Sequence, residues 1–155
     1  MLEPMGVIGV IAPEQGSLLG LVSAIIPPLV GGNTVVALAS ESLPLCAVTF
    51  AEVVANSDVP DGVVNILTGK ANELMPHFSS HMDVNAIVYC KNDKSHIKEL
   101  QFQAVDNLKR ILLTSSKTND LYSEANESPY CIINFMETKT TWHPIEKISS
   151  SGSGY

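Results

Sequence analysis

Charged residues are scarce in this sequence, and basic ones especially so. Only 16% of its 155 residues are charged, and the formal net charge is -7. The chain therefore lacks a basic stripe that could follow a phosphate backbone, and we expect no nucleic-acid partner. Hydrophobic residues make up 45%. At this length a single domain can bury about 68–70% of the surface that its unfolded chain exposes.

Long apolar runs and paired cysteines are lacking as well. The longest apolar run, residues 18–30, contains two prolines and is shorter than the roughly 20 residues that span a bilayer. We expect it to be a buried helix, and we expect no membrane partner. The first three residues have no positive charge of the kind that begins a signal peptide, so a cytoplasmic location is expected. Three cysteines without C-x-x-C spacing indicate free thiols.

Short β-branched runs alternate with longer helical ones, which is typical of βαβ units. The pattern predicts an α/β fold with a Rossmann-like parallel sheet flanked by helices. The predicted strands are residues 6–12, 34–38, 63–67, 85–90 and 109–113. The predicted helices are residues 18–30, with Ser17 as N-cap and the glycines at 31 and 32 as the stop, then 43–56, 71–79 and 93–105.

The chain changes character after this region. Residues 1–117 form the predicted nucleotide-binding-type domain, and the polar, aperiodic residues 118–128 a linker. Residues 129–148 are predicted to contain a β-hairpin, with strands at 130–135 and 138–142. The serine- and glycine-rich residues 149–155 are expected to be a flexible tail.

Several segments carry a resemblance to a known family. Residues 4–41, with Gly-Asn-Thr-Val-Val at 32–36, resemble the start of an aldehyde dehydrogenase nucleotide-binding domain. Residues 57–69, 81–90 and 108–117 resemble later segments of that domain, so the resemblance covers residues 4–117. The run METKTTWHPI, residues 136–145, resembles the closing strand that joins the family's bridging sheet. The most specific resemblance is to the degenerate C-terminal module of the family 16 aldehyde dehydrogenases.

The resemblance also implies that the catalytic side chains are missing, so no catalytic residue is predicted. Gln15 stands where the family has an asparagine amide, and its extra methylene misplaces an oxyanion donor. Thr114 stands where the family has its general-base glutamate. Cys131 comes late enough to be considered as a nucleophile but lacks the family's surroundings. We interpret it, with Cys46 and Cys90, as a structural thiol.

Cofactor binding is predicted to be vestigial. Glu41 matches the acidic position that accepts from ribose hydroxyls, and Ala12 and Pro13 are the other predicted contacts. Leu38 stands where the family has its lysine, and Asp93 is expected to cap the helix that would face the pyrophosphate. Lys91 and Lys94 could partly offset that negative charge. We expect no cofactor in the isolated chain, and NAD(P) if the chain is part of an enzyme.

No metal site is predicted. His77 and His81 have the i, i+4 spacing of zinc ligands on a helix, but no third ligand is evident and no glutamate follows the first histidine. We interpret them as surface histidines near a helix end.

Two functional hypotheses follow. The first is an inactive aldehyde dehydrogenase-family domain that acts in oligomerisation or scaffolding, with a second copy or a full-length aldehyde dehydrogenase module as partner. The alternative is a segment of an NAD(P)-dependent aldehyde oxidoreductase whose catalytic domain is absent between residues 117 and 130.

Overall fold

Five parallel strands form the central sheet of the protein. The computed structural model describes residues 1–114 and 128–143. The strand order is β4-β3-β2-β5-β6, and every neighbouring pair is parallel. The predicted α/β class is confirmed. The strands are β2 (Val7–Ile11), β3 (Thr34–Leu38), β4 (Val64–Leu67), β5 (Val84–Tyr89) and β6 (Arg110–Leu113), preceded by the short strand β1 (Leu2–Pro4).

Helices cover both faces of this sheet, which explains why its strands are continuous in apolar residues. Helices α1 and α2 contribute Leu21, Ile25 and Ala47 to the core on one face. Helices α3 and α4 contribute Met75 and Leu100 to the core on the other. The helices are α1 (Ser17–Val30), α2 (Leu45–Ala55), α3 (Ala71–Ser80) and α4 (Lys94–Gln103), with a 3-10 turn at Ala104–Asn107.

Two predicted helix starts need correction. Ser17 is the first residue of α1 rather than its N-cap, and Gly16 takes the N-cap position with φ of 61°. This left-handed conformation favours glycine, so the chain turns one residue earlier than the serine indicated. Helix α2 begins at Leu45, directly after Pro44, and not at the predicted residue 43. The predicted stop of α1 agrees with Gly32, whose φ is +85°.

Strand β2 lies at the centre, where the direction of strand addition reverses. It pairs with β3 on one side and with β5 on the other. In open α/β sheets, a ligand crevice opens at such a switch point, beyond the carboxyl ends of the strands. The loops after β2, β3 and β5 therefore border the place where function is expected.

The predicted C-terminal hairpin is wrong. Residues Tyr130–Ile133 form the short helix α5, and Met136–Thr138 form β7, which pairs antiparallel with β1 instead of with a neighbouring strand. Phe135, only 6% exposed, packs into the core on the α1 face. Burying this ring favours a turn at the position where alternation of apolar residues predicted a continuous strand.

Two buried polar side chains join distant parts of the fold. Asn33 accepts a hydrogen bond from the Gly6 N–H at 3.0 Å and donates to the carbonyls of Pro28 and Phe135. Lys109 donates from Nζ to the carbonyl of Val84 at 2.7 Å and to that of His81. Desolvation lowers the pKa of Lys109. Both side chains satisfy backbone groups that would otherwise be costly to bury.

Candidate functional site

An ion network joins three loops at the carboxyl edge of the sheet. The Nζ of Lys91, after β5, lies 2.6 Å from Glu14 Oε1 and 2.9 Å from Glu41 Oε1. Glu14 follows β2 and Glu41 follows β3, so one ammonium group spans the crevice at the switch point. Only 14% of the Lys91 side chain is exposed. We call these three residues the Lys91 triad.

Both carboxylates of the triad are held by further hydrogen bonds. The Oε2 of Glu14 accepts from Ser40 Oγ at 2.7 Å and from Ser42 Oγ at 2.8 Å. The Oε1 of Glu41 accepts from the Ala71 N–H at 2.9 Å, at the first residue of α3. Each carboxylate is therefore fixed in position by polar groups of its surroundings as well as by Lys91.

The pKa values of the triad reflect these contacts. Burial acts to raise the pKa of Glu14, but hydrogen bonds from Lys91, Ser40 and Ser42 outweigh it and lower the pKa to about 2. Hydrogen bonds from Lys91 and from the Ala71 N–H lower the pKa of Glu41. Burial acts to lower the pKa of Lys91, and its bonds to the two carboxylates raise it. All three groups are charged at neutral pH.

The N-terminus of α4 borders the same crevice and is capped from within. Asp93 Oδ1 accepts from the N–H groups of Ser95 at 2.8 Å and His96 at 3.4 Å. This agrees with the predicted role of Asp93 as the cap. The Ser95 hydroxyl also donates to Asp93 Oδ1, at 2.5 Å, and this bond, together with those from the backbone, lowers the pKa of Asp93. Two of the backbone donors that this helix start could offer to an anion are therefore already used.

A cleft of about 310 Å³ lies beside the crevice, on the α1 face of β5 and β6. Its floor and one side are apolar, and its polar rim includes Gln15, Ser23, Thr114 and Asn134. Pro13 borders it and packs tightly against α1, since a Cβ on Gly20 would lie 2.4 Å from the Pro13 ring. No side chain that lines this cleft carries a formal charge at neutral pH.

Comparisons with known proteins agree with this architecture. The family model described as "Aldehyde dehydrogenase family" matches residues 1–122. The chain belongs to the aldehyde dehydrogenase family. It is similar to the NADP/NAD-dependent aldehyde dehydrogenase PuuC of Escherichia coli, with 34% identity over 72% of this chain and 22% of the relative. It is also similar to the mitochondrial aldehyde dehydrogenase of Leishmania tarentolae, with 37% identity over the same shares.

Solved structures of the family place the sheet in the same way. The crystal structure of a C291A variant of aldehyde dehydrogenase C from Pseudomonas syringae, in complex with NAD+ and octanal, matches with a TM-score of 0.69 and 28% identity. The match covers 74% of this chain and 23% of that one. The chain thus spans about a fifth of the length of the curated aldehyde dehydrogenases that it matches.

Gln15 and Thr114, which the sequence resemblance matches to the family's amide donor and general base, both line the cleft. Gln15 is exposed at the entry to α1. The Thr114 hydroxyl donates to Cys90 Sγ at 3.2 Å. A threonine hydroxyl does not serve as a base at neutral pH, so the carboxylate function is not replaced by this residue.

The three cysteines lie in different surroundings. Cys90 is buried, and desolvation raises the pKa of its thiol. Cys46 is exposed on α2 rather than buried, because α2 contributes little beyond Ala47 to the core. Cys131 is half-buried on α5, so the interpretation of its neighbours as strand residues is wrong. All three are free thiols.

The predicted cofactor contacts lie at the carboxyl edge. Ala12 is fully buried after β2, Pro13 borders the cleft, and Glu41 belongs to the Lys91 triad. Leu38, which the sequence resemblance matches to the family's lysine, is fully buried in the core on the α3 face. A role of Glu41, Ala12 and Pro13 in cofactor binding stays a prediction.

His77 lies in the last turn of α3, and His81 directly follows that helix. Both are exposed, which agrees with their interpretation as surface histidines. Within residues 1–114 and 128–143, no group of three or more histidine, cysteine, aspartate or glutamate side chains could hold a metal ion. The same residues include no helix that is long and apolar enough to cross a membrane.

Sequence reasoning missed Glu14 as a site residue and assigned Lys91 to the wrong partner. Lys91 pairs with Glu14 and Glu41 rather than offsetting the negative charge of Asp93. The available signal was that opposite charges follow β2 and β5, whose carboxyl ends meet at a switch point.

Proposed function

We propose that this chain is a catalytically inactive aldehyde dehydrogenase-type module that acts in oligomerisation or scaffolding. The observation that carries the proposal is the combination of Thr114 and Gln15 at the rim of the cleft. Aldehyde oxidation needs a positioned nucleophile, an oxyanion donor and a base. The described residues bring no thiol together with a carboxylate at that cleft. We further propose that the nearest counterpart is the C-terminal module of family 16.

The assembly role is supported by the small sheet that β1 and β7 form. Each strand has three residues, and within the part of the chain that the structure describes they pair only with each other. A two-stranded sheet of this size is marginal in water. Unpaired strand edges recruit other strands through main-chain hydrogen bonds. A second copy, or a full-length aldehyde dehydrogenase, would supply the missing strand.

The register of the β1–β7 pair shows which backbone N–H groups of β7 point away from β1. The terminal ammonium group of Met1 donates to the carbonyl of Lys139, and the Lys139 N–H donates to the carbonyl of Met1. Thr138 is the next residue along, opposite Leu2. Because hydrogen-bonded and non-hydrogen-bonded pairs alternate in antiparallel strands, Thr138 directs its N–H away from β1. Thr138→Pro therefore removes an outward donor and leaves the β1–β7 bonds in place. Thr138→Val is the matched control, because it keeps the N–H.

Light scattering over a concentration series tests the proposal. We expect the unmodified chain and Thr138→Val to form dimers or larger assemblies, and Thr138→Pro to shift towards the monomer. A second arm mixes each protein with the E. coli aldehyde dehydrogenase PuuC. If the unmodified chain is monomeric at the highest concentration and does not associate with the intact enzyme, the scaffold proposal is wrong.

The alternative function is a segment of an NAD(P)-dependent aldehyde oxidoreductase. It is favoured by the coverage, since the chain spans about a fifth of the enzymes that it matches. The length of the native transcript distinguishes the two proposals. Additional coding sequence that carries a Gly-Gln-x-Cys nucleophile segment would support the enzyme, and its absence would support the scaffold.

A further inference from the structure

The crevice at the switch point is crossed by a side chain of the protein itself. The Lys91 triad connects the loops that follow β2, β3 and β5, and it also contacts the first N–H of α3 through Glu41. In open parallel sheets a dinucleotide binds between such loops. Lys91 therefore lies where the ligand would have to enter.

We propose that the Lys91 triad is a clamp that closes the dinucleotide crevice and holds its loops together without a cofactor. Glu41 Oε1 already accepts from Lys91 Nζ and from the Ala71 N–H, each at 2.9 Å. These two bonds use two of the about four acceptor sites of the carboxylate, so a ribose hydroxyl reaches Oε1 only if one of them is given up. Glu14 keeps Lys91 in place from the other side.

The neighbouring anion site is also partly occupied. Asp93 accepts from the N–H groups of Ser95 and His96 at the start of α4 and places a carboxylate there. A pyrophosphate would meet this negative charge instead of free backbone donors. The residues present therefore do not fit a bound dinucleotide, and the clamp stabilises the loops in its place.

The proposal rests on the proposed function, in that the module works without a cofactor, and the quantity measured in its test is cofactor binding rather than assembly. Calorimetry would measure NAD+ binding to the unmodified chain and to Glu14→Gln/Lys91→Gly. This double variant removes one negative and one positive charge, so the net charge of the crevice is unchanged while Glu41 is released. The control Glu3→Gln/Lys139→Gly makes the same changes at the 3.0 Å ion pair between β1 and β7.

We expect the crevice variant to bind NAD+ at least about tenfold more tightly than the unmodified chain, because one charge-assisted hydrogen bond becomes available. The control should bind like the unmodified chain. The single variant Lys91→Gly should not gain affinity, since it leaves two uncompensated carboxylates facing an anionic ligand. Equal affinity in the crevice variant and the unmodified chain, or an equal gain in the control, would overturn the clamp.

Carbon-13 NMR of the side-chain carboxyls in the unmodified chain gives a second test that does not depend on how the variants fold. We expect the Glu14 carboxyl to titrate near pH 2, as its contacts with Lys91, Ser40 and Ser42 require. A Glu14 that titrates near 4.5 would show that the triad is not formed, and it would overturn the proposal. The scattering experiment could fail without affecting either result.

Discussion

Replacing Lys91 by methionine should destabilise the protein clearly more than replacing an exposed lysine. Methionine keeps an apolar stem of similar length but removes the ammonium group, which lies 2.6 Å from Glu14 and 2.9 Å from Glu41. The substitution therefore leaves two neighbouring carboxylates without their shared partner. Removing one partner of a largely buried ion pair is costly for this reason.

The magnitude can be worked out from the contacts. Each charge-assisted hydrogen bond contributes about 1.5–3 kcal/mol. The Glu14 and Glu41 side chains are 38% and 37% exposed, so solvent screening reduces the combined loss to about 2–3 kcal/mol. For a chain of this size, such a loss lowers the melting temperature by about 4–12 °C.

Urea denaturation of Lys91→Met and of the control Lys70→Met measures this difference. Lys70 pairs with Glu73 at 3.2 Å, but both side chains are about 70% exposed, so we expect that loss to be under about 0.5 kcal/mol. Glu14→Gln should lower the free energy of unfolding less in the Lys91→Met variant than in the unmodified protein, with a coupling of at least about 1 kcal/mol between the two substitutions. Equal losses for the two lysine variants, with no coupling, would refute the reasoning.

Three further predictions concern stability. The pKa of Glu14 is about 2 in the folded protein, against an ordinary value of 4.5, so its contribution to the free energy of unfolding is present above pH 4.5 and is lost as the pH falls towards 2. After allowance for exposure this contribution is about 1–2 kcal/mol. The urea midpoint of Glu14→Gln should therefore fall less over this pH range than that of the unmodified chain. Lys109→Met should cost about 1–3 kcal/mol in denaturation experiments because two carbonyls lose their buried donor, whereas the exposed Lys98→Met should stay within about 0.5 kcal/mol. Asn33→Ala should cost about 2–3 kcal/mol and release the segment around Phe135, which limited proteolysis would detect as faster cleavage there.

Much of the sheet could be predicted from the sequence because its strands are buried on both faces and rich in valine and isoleucine. The predicted 34–38 strand coincides with β3, and the predicted 85–90 strand differs from β5 by one residue at each end. Local pattern is sufficient in such cases, since each segment has the periodicity of its element and a glycine or proline near its end.

The C-terminal region and the triad could not be predicted in this way. Strand β7 pairs with β1 across more than 130 residues of sequence, and no local pattern encodes that choice. Glu14 and Lys91 lie in distant segments of the sequence, so no local pattern pairs their charges. Their attraction becomes evident only when the parallel sheet brings the ends of β2 and β5 together.

The most direct test of the central claim is an assay for NAD+ and NADP+ reduction with a panel of aldehydes. The absorbance of the reduced nicotinamide is monitored over time. The account predicts no turnover by the isolated chain, and none after Thr114→Glu, because one restored carboxylate supplies neither a positioned thiolate nor an open cofactor crevice. Steady formation of reduced nicotinamide that disappears in Cys131→Ser would contradict it.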